Sequence, residues 1–337
     1  MITVALIGFG GIAKAAHFPV YRALEKEGKI KIVGIADISP RAFESGASIN
    51  VGSADLLPEG IRTFTDYREM LKEVTPDMAD ICLPTYLHAS AACDALRAGC
   101  HVLSEKPMSL TYKDCLTMIE TAHTCEKKMM IGQCLRFSRK YGYLKQAVEN
   151  DTFGKLRGGV FRRLSAPPVW GFENWYMDYE RSHGCITDLH IHDIDLIRYL
   201  CGEPISVFCE TQDIYSHMDT AYSVLRYEDF SLLAVGDWSC EGLPFTADFR
   251  VAFERATVDC EGDTVTVYPR GGSSFSLDFA DDNFYENEIR SFVGTLETGN
   301  GTTDAVNPPE SAAMTIKLIE TLIKSAEEGG RVLPFRK

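Results

Sequence analysis

The sequence predicts an α/β protein with an N-terminal doubly wound parallel sheet and a C-terminal α/β domain whose large, open sheet is mostly antiparallel. Over the first 128 residues, short apolar runs alternate with amphipathic segments, which is typical of buried parallel strands separated by helices. After residue 150, strand-like segments of alternating polarity are joined by tight turns, which favours an antiparallel sheet. A chain of 337 residues is long enough for two such domains.

The first domain is predicted to span residues 1–128. Helical segments are expected from about residue 12 to 27, near Pro40–Gly46, from His88 onwards and from about 111 to 127. The predicted strands are the apolar runs ITVALIG, KIKIVGIAD, DMADICLPT, HVLSEKP and KMMIGQCLRF. Strands and helices that alternate in this way predict a parallel sheet covered on both faces.

The second domain is predicted to span residues 129–337, with the boundary between 128 and 150. Its final helix begins at prolines and stops at glycines, in the segment PPESAAMTIKLIETLIKSAEEGG. The strand-like segments are GKLRGGVFRRLSAP, ISVFCETQDI, TAYSVLRYEDFSLLAVGDWS, FTADFRVAFE and ATVDCEGDTVTVYP. We expect one face of this sheet to be solvated or covered by a partner.

Composition argues against several classes of protein. The net charge is −14 and the pI is near 5.1, which disfavours binding to nucleic acid or to an anionic membrane surface. No apolar run is long enough to span a bilayer. The 11 cysteines form no CxxC motif. We interpret them as reduced thiols that serve as small apolar side chains. This usage predicts a reducing compartment, the cytoplasm.

A dinucleotide fingerprint follows the first strand. The segment VALIGFGGIAKAAH reads G-x-G-x-x-A at Gly8, Gly10 and Ala13. Gly8 permits the tight turn, Gly10 lets the backbone approach a pyrophosphate, and a small third residue lets helix and strand pack closely. The helix N-terminus then offers N–H groups to the phosphates. The alternative is a glycine-rich turn in another kind of α/β protein.

Asp37 ends the second predicted strand, at the distance expected for the ribose-binding acid of such a fold. A carboxylate there accepts hydrogen bonds from the adenosine ribose hydroxyls and repels a 2′-phosphate. The position therefore favours NAD as cofactor, although Ser39 and Arg41 beside it leave NADP open. If the turn serves another purpose, Asp37 is a helix cap.

The stretch TDLHIHDIDLIRYL, residues 187–200, concentrates histidines and aspartates before an apolar run. A helix through this stretch, ended by Gly202, is predicted. Residues four apart are neighbours on a helix, so Asp188, His192 and Asp195 would share one face.

Two other interpretations of this stretch remain. A metal-chelating pair of His190 and His192 would need a strand, where residues two apart share a side. The helical pattern puts His190 on a different face, so we predict no metal site. Acids are also favoured at a helix N-terminus by the dipole, which accounts for Asp193 but not for a histidine flanked by acids at helical spacing.

Several motifs together make the chain recognisable: GFGGIAKAAHFP, PTYLHAS, SEKPMSLT, GQCLRF, HGCITDLHIHDIDLIRYLCG and ENEIRSF. With these motifs the chain resembles the glucose–fructose oxidoreductase / inositol dehydrogenase / MocA (Gfo/Idh/MocA) family of NAD(P)-dependent sugar and polyol dehydrogenases. The resemblance implies a Rossmann domain followed by an α/β domain whose open sheet often forms a subunit interface. We therefore expect a homodimer or homotetramer and a small sugar or polyol substrate.

The resemblance also implies the site residues. Lys106 of EKP corresponds to the active-site lysine, with Asp188 and His192 as its catalytic partners. The expected cofactor-binding residues are Gly8, Phe9, Gly10, Gly11, Ile12, Ala13, Asp37, Ile38, Arg41, Pro84, Thr85, His88, Glu105 and Lys106. The expected substrate-binding residues are Lys106, Arg136, Arg162, Trp170, Trp175, Asp188, His190, His192 and Tyr285.

Two positions depart from the family pattern. His183-Gly184 stands where the family often has Gly-Gly, and His190 stands where a glycine or a small or apolar residue is frequent. Both departures concern the expected substrate pocket.

Each catalytic group has a chemical task in the oxidation of an alcohol. The hydroxyl proton must leave as hydride moves from carbon to nicotinamide. His192 can take that proton, and Asp188 can hold its imidazole. Lys106 can hydrogen-bond the reacting oxygen and stabilise a developing alkoxide. Either Lys106 or His192 can be the formal base.

The other expected substrate contacts have ordinary structural alternatives. Trp170, Trp175 and Tyr285 offer flat apolar walls to a sugar, or pack in the core. Arg136 and Arg162 reach substrate, or pair with acids.

The leading functional hypothesis is a dehydrogenase that transfers a hydride between a secondary alcohol and NAD. A dinucleotide-binding sensor of the same fold without turnover is the alternative, but such a protein has no need of Lys106, Asp188 and His192 together. A metal hydrolase using His190 and His192 would leave the dinucleotide fingerprint unexplained.

Overall fold

The computed structural model describes residues 1–44, 46–49, 52–54, 57, 60–298 and 306–336. The chain divides into two compact units, one of residues 1–134 with 283–313 and the other of residues 135–282 with 314–337. The sequence prediction placed everything after residue 128 in the second domain. Residues 283–313 fall instead in the first unit, because a C-terminal helix packs beside the first strand and the first helix.

The first unit is built on a parallel sheet, as predicted. Eight strands are described: β1 (Ile2–Ile7), β2 (Ile30–Ala36), β3 (Ala47–Ile49), β4 (Gly52–Ala54), β5 (Thr63–Phe64), β6 (Met78–Ile81), β7 (His101–Glu105) and β8 (Met129–Gly132). The sheet order is β5-β2-β1-β6-β7-β8, and β3 and β4 form a separate antiparallel pair. The strand order reverses between β1 and β6, and in such sheets the carboxyl ends of the strands at this point form the ligand crevice.

Helices connect these strands, and all but α2 (Tyr67–Val74) were predicted from the sequence. The first begins after the glycine turn with a π-helical segment, Ala13–His17, and continues as α1 (Phe18–Lys26). The next three are α2 (Tyr67–Val74), α3 (His88–Arg97) and α4 (Tyr112–Thr124). Side chains cap two of them, since Asp66 accepts from the Arg68 N–H and Thr111 from the Asp114 N–H, which satisfies backbone donors at the helix N-termini.

The second unit contains a nine-stranded sheet in the order β16-β15-β14-β13-β9-β12-β11-β10-β17. The pair β12–β9 is parallel and the other neighbouring pairs are antiparallel, so the predicted fold class is confirmed. The strands are β9 (Leu156–Leu164), β10 (Ser206–Gln212), β11 (Thr220–Arg226), β12 (Ser231–Asp237), β13 (Thr246–Phe253), β14 (Ala256–Glu261), β15 (Thr264–Pro269), β16 (Phe275–Asp278) and β17 (Leu333–Pro334).

Helices cover one face of this sheet. Those of the second unit are α5 (Arg139–Glu149), α6 (Tyr179–Ser182), α7 (Gly184–Asp188) and α8 (Ile191–Cys201). They are followed by α9 (Phe284–Thr298), which belongs to the first unit, and α10 (Pro309–Glu327). Helix α8 packs on β9 and β12. The opposite sheet face is more open, with Tyr222 and Leu233 each 38% exposed.

The cysteines are free thiols throughout, and most are buried, as predicted. No helix in the described ranges combines the length and apolarity that a membrane span requires.

Candidate cofactor and active site

The glycine turn after β1 has the geometry that a dinucleotide requires. Gly8 has φ +90°, and a Cβ there would lie 2.6 Å from the carbonyl oxygen of Cys82, so a side chain is excluded. A Cβ at Gly10 would meet no atom within 4 Å, which leaves space for a pyrophosphate beside the backbone. The helical segment starting at Gly11 then presents its N–H groups at the turn.

Asp37 is held rigidly against this turn. Its Oδ2 accepts the Phe9 N–H and its Oδ1 accepts the Ser39 N–H, both at 2.8 Å. A carboxylate has about four acceptor positions, so each oxygen keeps capacity for a ribose hydroxyl. The Ile38 side chain is 76% exposed, and Arg41 lies in the short helix Pro40–Phe43. The Asp37 carboxylate therefore fits an adenosine with a free 2′-hydroxyl.

Lys14 was missed by the sequence reasoning. It is 4% exposed, and its Nζ lies 5.4 Å from the centroid of the Phe9 ring. Burial lowers the pKa of Lys14, and the charge of Asp37 partly opposes this shift. A lysine directly after the glycine fingerprint is the sequence signal that points to it.

The loops after β6 and β7 are tied together by His88. Pro84 precedes a short helical turn, Thr85–Leu87, in which Thr85 is buried. The ring nitrogens of His88 each lie 2.7 Å from a carbonyl oxygen, Nδ1 from Pro107 and Nε2 from Leu83. His88 therefore positions the loop predicted to line the nicotinamide rather than offering it a free nitrogen.

Lys106 follows β7 directly and is half-buried. Its backbone N–H donates to Glu105 Oε2 at 3.0 Å, and the same carboxylate lies 2.9 Å from His17 Nε2 through Oε1. Glu105 is 6% exposed. It was expected to bind the cofactor, and each of its oxygens makes a contact inside the unit.

In the second unit, the helix predicted to run through 188–202 is broken. Helix α7 ends at Asp188 and α8 begins at Ile191. At the break, the His190 N–H bonds to the Cys185 carbonyl, five residues back, at 2.9 Å. Asp188 and His192 flank the break and are both partly exposed. Helix α8 then ends at Gly202, as predicted.

Two segments of the chain match two family models. Residues 2–133 match the model described as "Oxidoreductase family, NAD-binding Rossmann fold", and residues 141–259 match the "GFO/IDH/MocA C-terminal domain". The chain belongs to the Gfo/Idh/MocA oxidoreductase family. The family resemblance predicted from the motifs is thereby confirmed, together with an NAD-binding Rossmann domain.

Individual relatives cover the chain to different extents. A myo-inositol 2-dehydrogenase of Thermotoga maritima is 33% identical over 183 residues, which is 51% of this chain and 52% of the relative. The chain thus aligns with about half the length of that enzyme. A D-glucoside 3-dehydrogenase of Escherichia coli is 23% identical, covering 98% of this chain and 97% of its own.

A solved structure agrees with the fold. The inositol dehydrogenase homologue of Azotobacter vinelandii, determined with NAD+, has a TM-score of 0.83 at 18% identity, covering 99% of this chain and 97% of its own. At this identity the similarity supports the fold alone.

The substrate-binding role predicted for His190 is not supported by the structure of this Gfo/Idh/MocA protein. It was expected to bind substrate, but it is fully buried, with Nε2 2.8 Å from the Ser223 Oγ and its ring against Gly236. Burial, with a contribution from the charge of Arg163, lowers the pKa of His190 to about 3. It is a neutral packing residue inside the second unit, not a residue that faces a substrate.

Arg136 also changes role. It was expected to reach the substrate, but it is 6% exposed. Its Nε and Nη2 donate to the two oxygens of Asp195 at 2.8 and 2.7 Å, and Thr315 donates to the same carboxylate at 2.7 Å. Asp195, which was predicted to share a face with Asp188, is therefore part of a buried ion pair.

Arg162 lies on the open face of the sheet, away from α8. It donates to both oxygens of Asp248 at 2.8 Å. Its neighbour Arg163 points the other way and bonds Asp193 of α8 at 2.9 and 3.1 Å, as the alternation of a strand requires. The substrate contact predicted for Arg162 is replaced by this surface pair.

The aromatic candidates separate by burial. Trp175 is 7% exposed and stacks on Tyr176 with ring centroids 3.9 Å apart. Trp170 is 60% exposed, with only its edge contact to Tyr176 described. Tyr285 belongs to the first unit, 5.9 Å from the His17 ring. Of the three, Trp170 presents the most surface to a ligand.

Proposed function

We propose that this protein is an NAD-dependent dehydrogenase that transfers a hydride between a secondary alcohol of a sugar or cyclic polyol and the nicotinamide. The observation that carries the proposal is the Asp37 carboxylate, held by the Phe9 and Ser39 N–H groups beside an open glycine turn. The names of the relatives support the substrate class, because one is a myo-inositol and another a D-glucoside dehydrogenase.

The first unit is proposed to bind the cofactor. The N–H groups of the turn from Gly8 to Ala13 would hold the pyrophosphate, and Asp37 would hold the ribose hydroxyls. Bound NAD supplies the hydride acceptor. Ile38 and Arg41 lie next to Asp37 in sequence and would flank the adenosine, and Pro84 and Thr85 would face the nicotinamide.

Catalysis is proposed to use Lys106, Asp188 and His192, as the family resemblance implies. Lys106 would hydrogen-bond the reacting oxygen and stabilise negative charge on it. His192 would exchange the hydroxyl proton, with its imidazole oriented by Asp188. Lys106 belongs to the first unit and the other two to the second, so their joint action is a proposal from the family pattern.

The test is a panel of polyols, aldoses and glucosides with NAD and with NADP, followed by NADH or NADPH absorbance. We expect turnover with at least one polyol or sugar, and with NAD preferred. Asp37→Ala should weaken NAD binding about 10- to 100-fold, the usual effect of losing hydrogen bonds to a charged group. Tight NAD binding without turnover on any alcohol would instead favour the sensor hypothesis.

We also propose that the protein is a homodimer or homotetramer formed through the open sheet face. On this face Tyr222 lies opposite Val235 and Val224 opposite Leu233 in adjacent strands. These apolar side chains are partly exposed, and a second copy of the sheet would remove them from water.

A further inference from the structure

A buried polar cluster lies inside the first unit beside the segment that carries Lys106. We call it the His17 cluster, and its members are His17 from the π-helical segment, Asp80 from β6, Glu105 from the end of β7 and Glu288 from α9. Their exposures are 0%, 0%, 6% and 0%. Ionisable groups are buried only at a cost in free energy unless they are paired and hydrogen-bonded.

His17 lies between two carboxylates. Its Nδ1 is 2.8 Å from Asp80 Oδ2, and its Nε2 is 2.9 Å from Glu105 Oε1. An ionised carboxylate only accepts hydrogen bonds, so both contacts are satisfied when both ring nitrogens carry hydrogen. Burial is the largest single influence and would lower the pKa of His17, but the charge and hydrogen bond of Asp80, together with contributions from Cys82, raise that pKa well above its usual value.

Glu288 is the fourth member of the cluster. In the described structure neither of its oxygens has a hydrogen-bond partner. Burial, followed by the charge of Glu105, raises the pKa of Glu288 well above its usual range, so this carboxyl is neutral. The cluster therefore holds one imidazolium between two carboxylates, next to a carboxylic acid.

The remaining titratable groups around His17 stay uncharged. Burial raises the pKa of Cys82 to about 12 and raises the pKa values of Tyr21 and Tyr285 well above the usual 10. These three come from the segment after β6, from α1 and from α9. Among the groups that surround it, His17 therefore carries the positive charge.

Glu105 connects this cluster to Lys106. Its Oε1 faces His17, and its Oε2 accepts the Lys106 N–H at 3.0 Å. The contacts thus run from Asp80 through His17 and Glu105 to the Lys106 backbone.

We propose that His17 is a positioning residue for Lys106, acting through the Glu105 carboxylate that it holds. The same histidine lies on the helical segment that begins at the glycine turn, so it links the pyrophosphate-binding element to the EKP segment. The inference rests on the proposed function, because it takes Lys106 as the group that contacts the reacting oxygen.

Amide hydrogen exchange tests the structural half of the proposal without any need for turnover. In His17→Gln of the full chain, the side-chain amide donates from one end only, so one carboxylate loses its donor. The Lys106 N–H, followed by mass spectrometry of the peptide that contains it, should exchange at least about tenfold faster, because a hydrogen bond to a charged group is weakened. Wild-type exchange in a folded His17→Gln protein would overturn the proposal.

Kinetics test the functional half. In His17→Gln, kcat should fall about 10²-fold, since misplacement of a catalytic group by about 1 Å has that effect, while the Kd of NAD stays at the wild-type value. An equal loss in NAD affinity, with kcat unchanged, would contradict positioning of Lys106.

Asp80→Asn is the second variant, in case His17→Gln does not fold. It keeps the shape of the site and the His17–Glu105 contact but removes one carboxylate that favours the imidazolium. The pKa of His17 should then fall, so kcat should begin to decrease at a lower pH than in wild type as the pH rises. A merely structural role would lower kcat without moving the profile, and that outcome would contradict the proposal.

His101→Gln is the matched control. His101 lies at the opposite end of β7, where its Nδ1 accepts the Lys128 N–H at 2.9 Å. This variant should change neither the exchange rate of the Lys106 N–H nor kcat.

Zinc bound stoichiometrically to wild type and lost from both His17→Gln and Asp80→Asn would overturn the proposal, because a metal ion on the His17 Nδ1 would displace the proton. Faster exchange combined with no turnover by wild type would support positioning and reject the proposed function.

Discussion

His17 and His190 are both fully buried, yet their surroundings shift their pKa values in opposite directions. In the first unit, His17 lies between Asp80 and Glu105, and its pKa is raised. In the second unit, His190 faces the Ser223 hydroxyl, and burial with the nearby Arg163 lowers its pKa to about 3. Burial by itself therefore does not set the protonation of a histidine. The partners at hydrogen-bond distance decide it.

The largest expected effect separates His190 from a third histidine, His192, two positions along the chain. His192→Ala should lower kcat about 10²–10⁴-fold, the usual worth of a positioned acid–base group, with NAD affinity unchanged. His190→Ala should keep most of the kcat of wild type, because its ring packs inside the unit. Steady-state kinetics and NAD titration of both variants provide the measurement. Equal losses of kcat in two folded variants would assign His190 a direct role and break the comparison.

The second prediction uses pH to compare the buried histidines. Because the folded-state pKa of His190 is depressed below the unfolded value of about 6.5, its contribution to stability is present above pH 6.5. That contribution is lost as the pH falls from there towards about 3, at about 1.4 kcal/mol per pH unit. The stability difference between wild type and His190→Asn, from denaturant unfolding, should shrink accordingly.

His17 should behave in the opposite way. Its folded-state pKa is raised, so its contribution is complete below about pH 6.5 and is lost only as the pH rises through the folded value. In the NMR spectrum, its imidazole should remain protonated where His190 is neutral. Two histidines that titrate together near their usual pKa would refute the contrast.

The third prediction concerns the packing around His190. A Cβ at Gly236 would lie 2.8 Å from the His190 Cβ, so Gly236→Ala should destabilise the protein by about 1–3 kcal/mol. The same change should cost less in a His190→Ala background, because the two positions are in contact. Gly294→Ala is the control, since a Cβ there meets no atom within 4 Å. An equal cost in both backgrounds would mean that His190 is not the obstacle.

The smallest expected change in the free energy of unfolding comes from a substitution on the open face of the second sheet. Leu233→Asp should leave the unfolding free energy within about 0.5 kcal/mol for a surface position, but it should dissociate the proposed oligomer in light scattering. Leu116→Asp is the control, because Leu116 is 47% exposed on α4 of the first unit. A Leu233→Asp protein that remains oligomeric would place the interface elsewhere.

Local sequence patterns were sufficient to predict the fold, but they did not predict the buried polar contacts near the candidate site. Apolar runs and alternation predicted both sheets, and the glycine turn with Asp37 predicted the geometry found at the cofactor site. The same periodicity predicted one helix where α7 and α8 are separated by Leu189 and His190. A pattern of period 3.6 cannot show whether a bond reaches back four residues or five.

The His17 cluster escaped prediction because its members are far apart in sequence. His17 and Glu288 meet only when α9 packs beside α1 and the π-helical segment. A signal was nevertheless present, since Asp80 stands inside an otherwise apolar strand, and a buried carboxylate requires a partner. Likewise, Arg136 pairs with Asp195 and Arg162 with Asp248. These partners are distant in sequence, so the pairs could not be predicted from local patterns.

The return of α9 to the first unit has a consequence for how the chain is made. During synthesis, residues 1–134 leave the ribosome long before Phe284–Thr298 is translated. Until then the cofactor-binding unit lacks its last helix, and the site of Glu288 beside His17 stands open. The unit therefore reaches its final form only after β9 to β16 of the second sheet have been synthesised, and a gene fragment that stops at residue 134 encodes an incomplete domain.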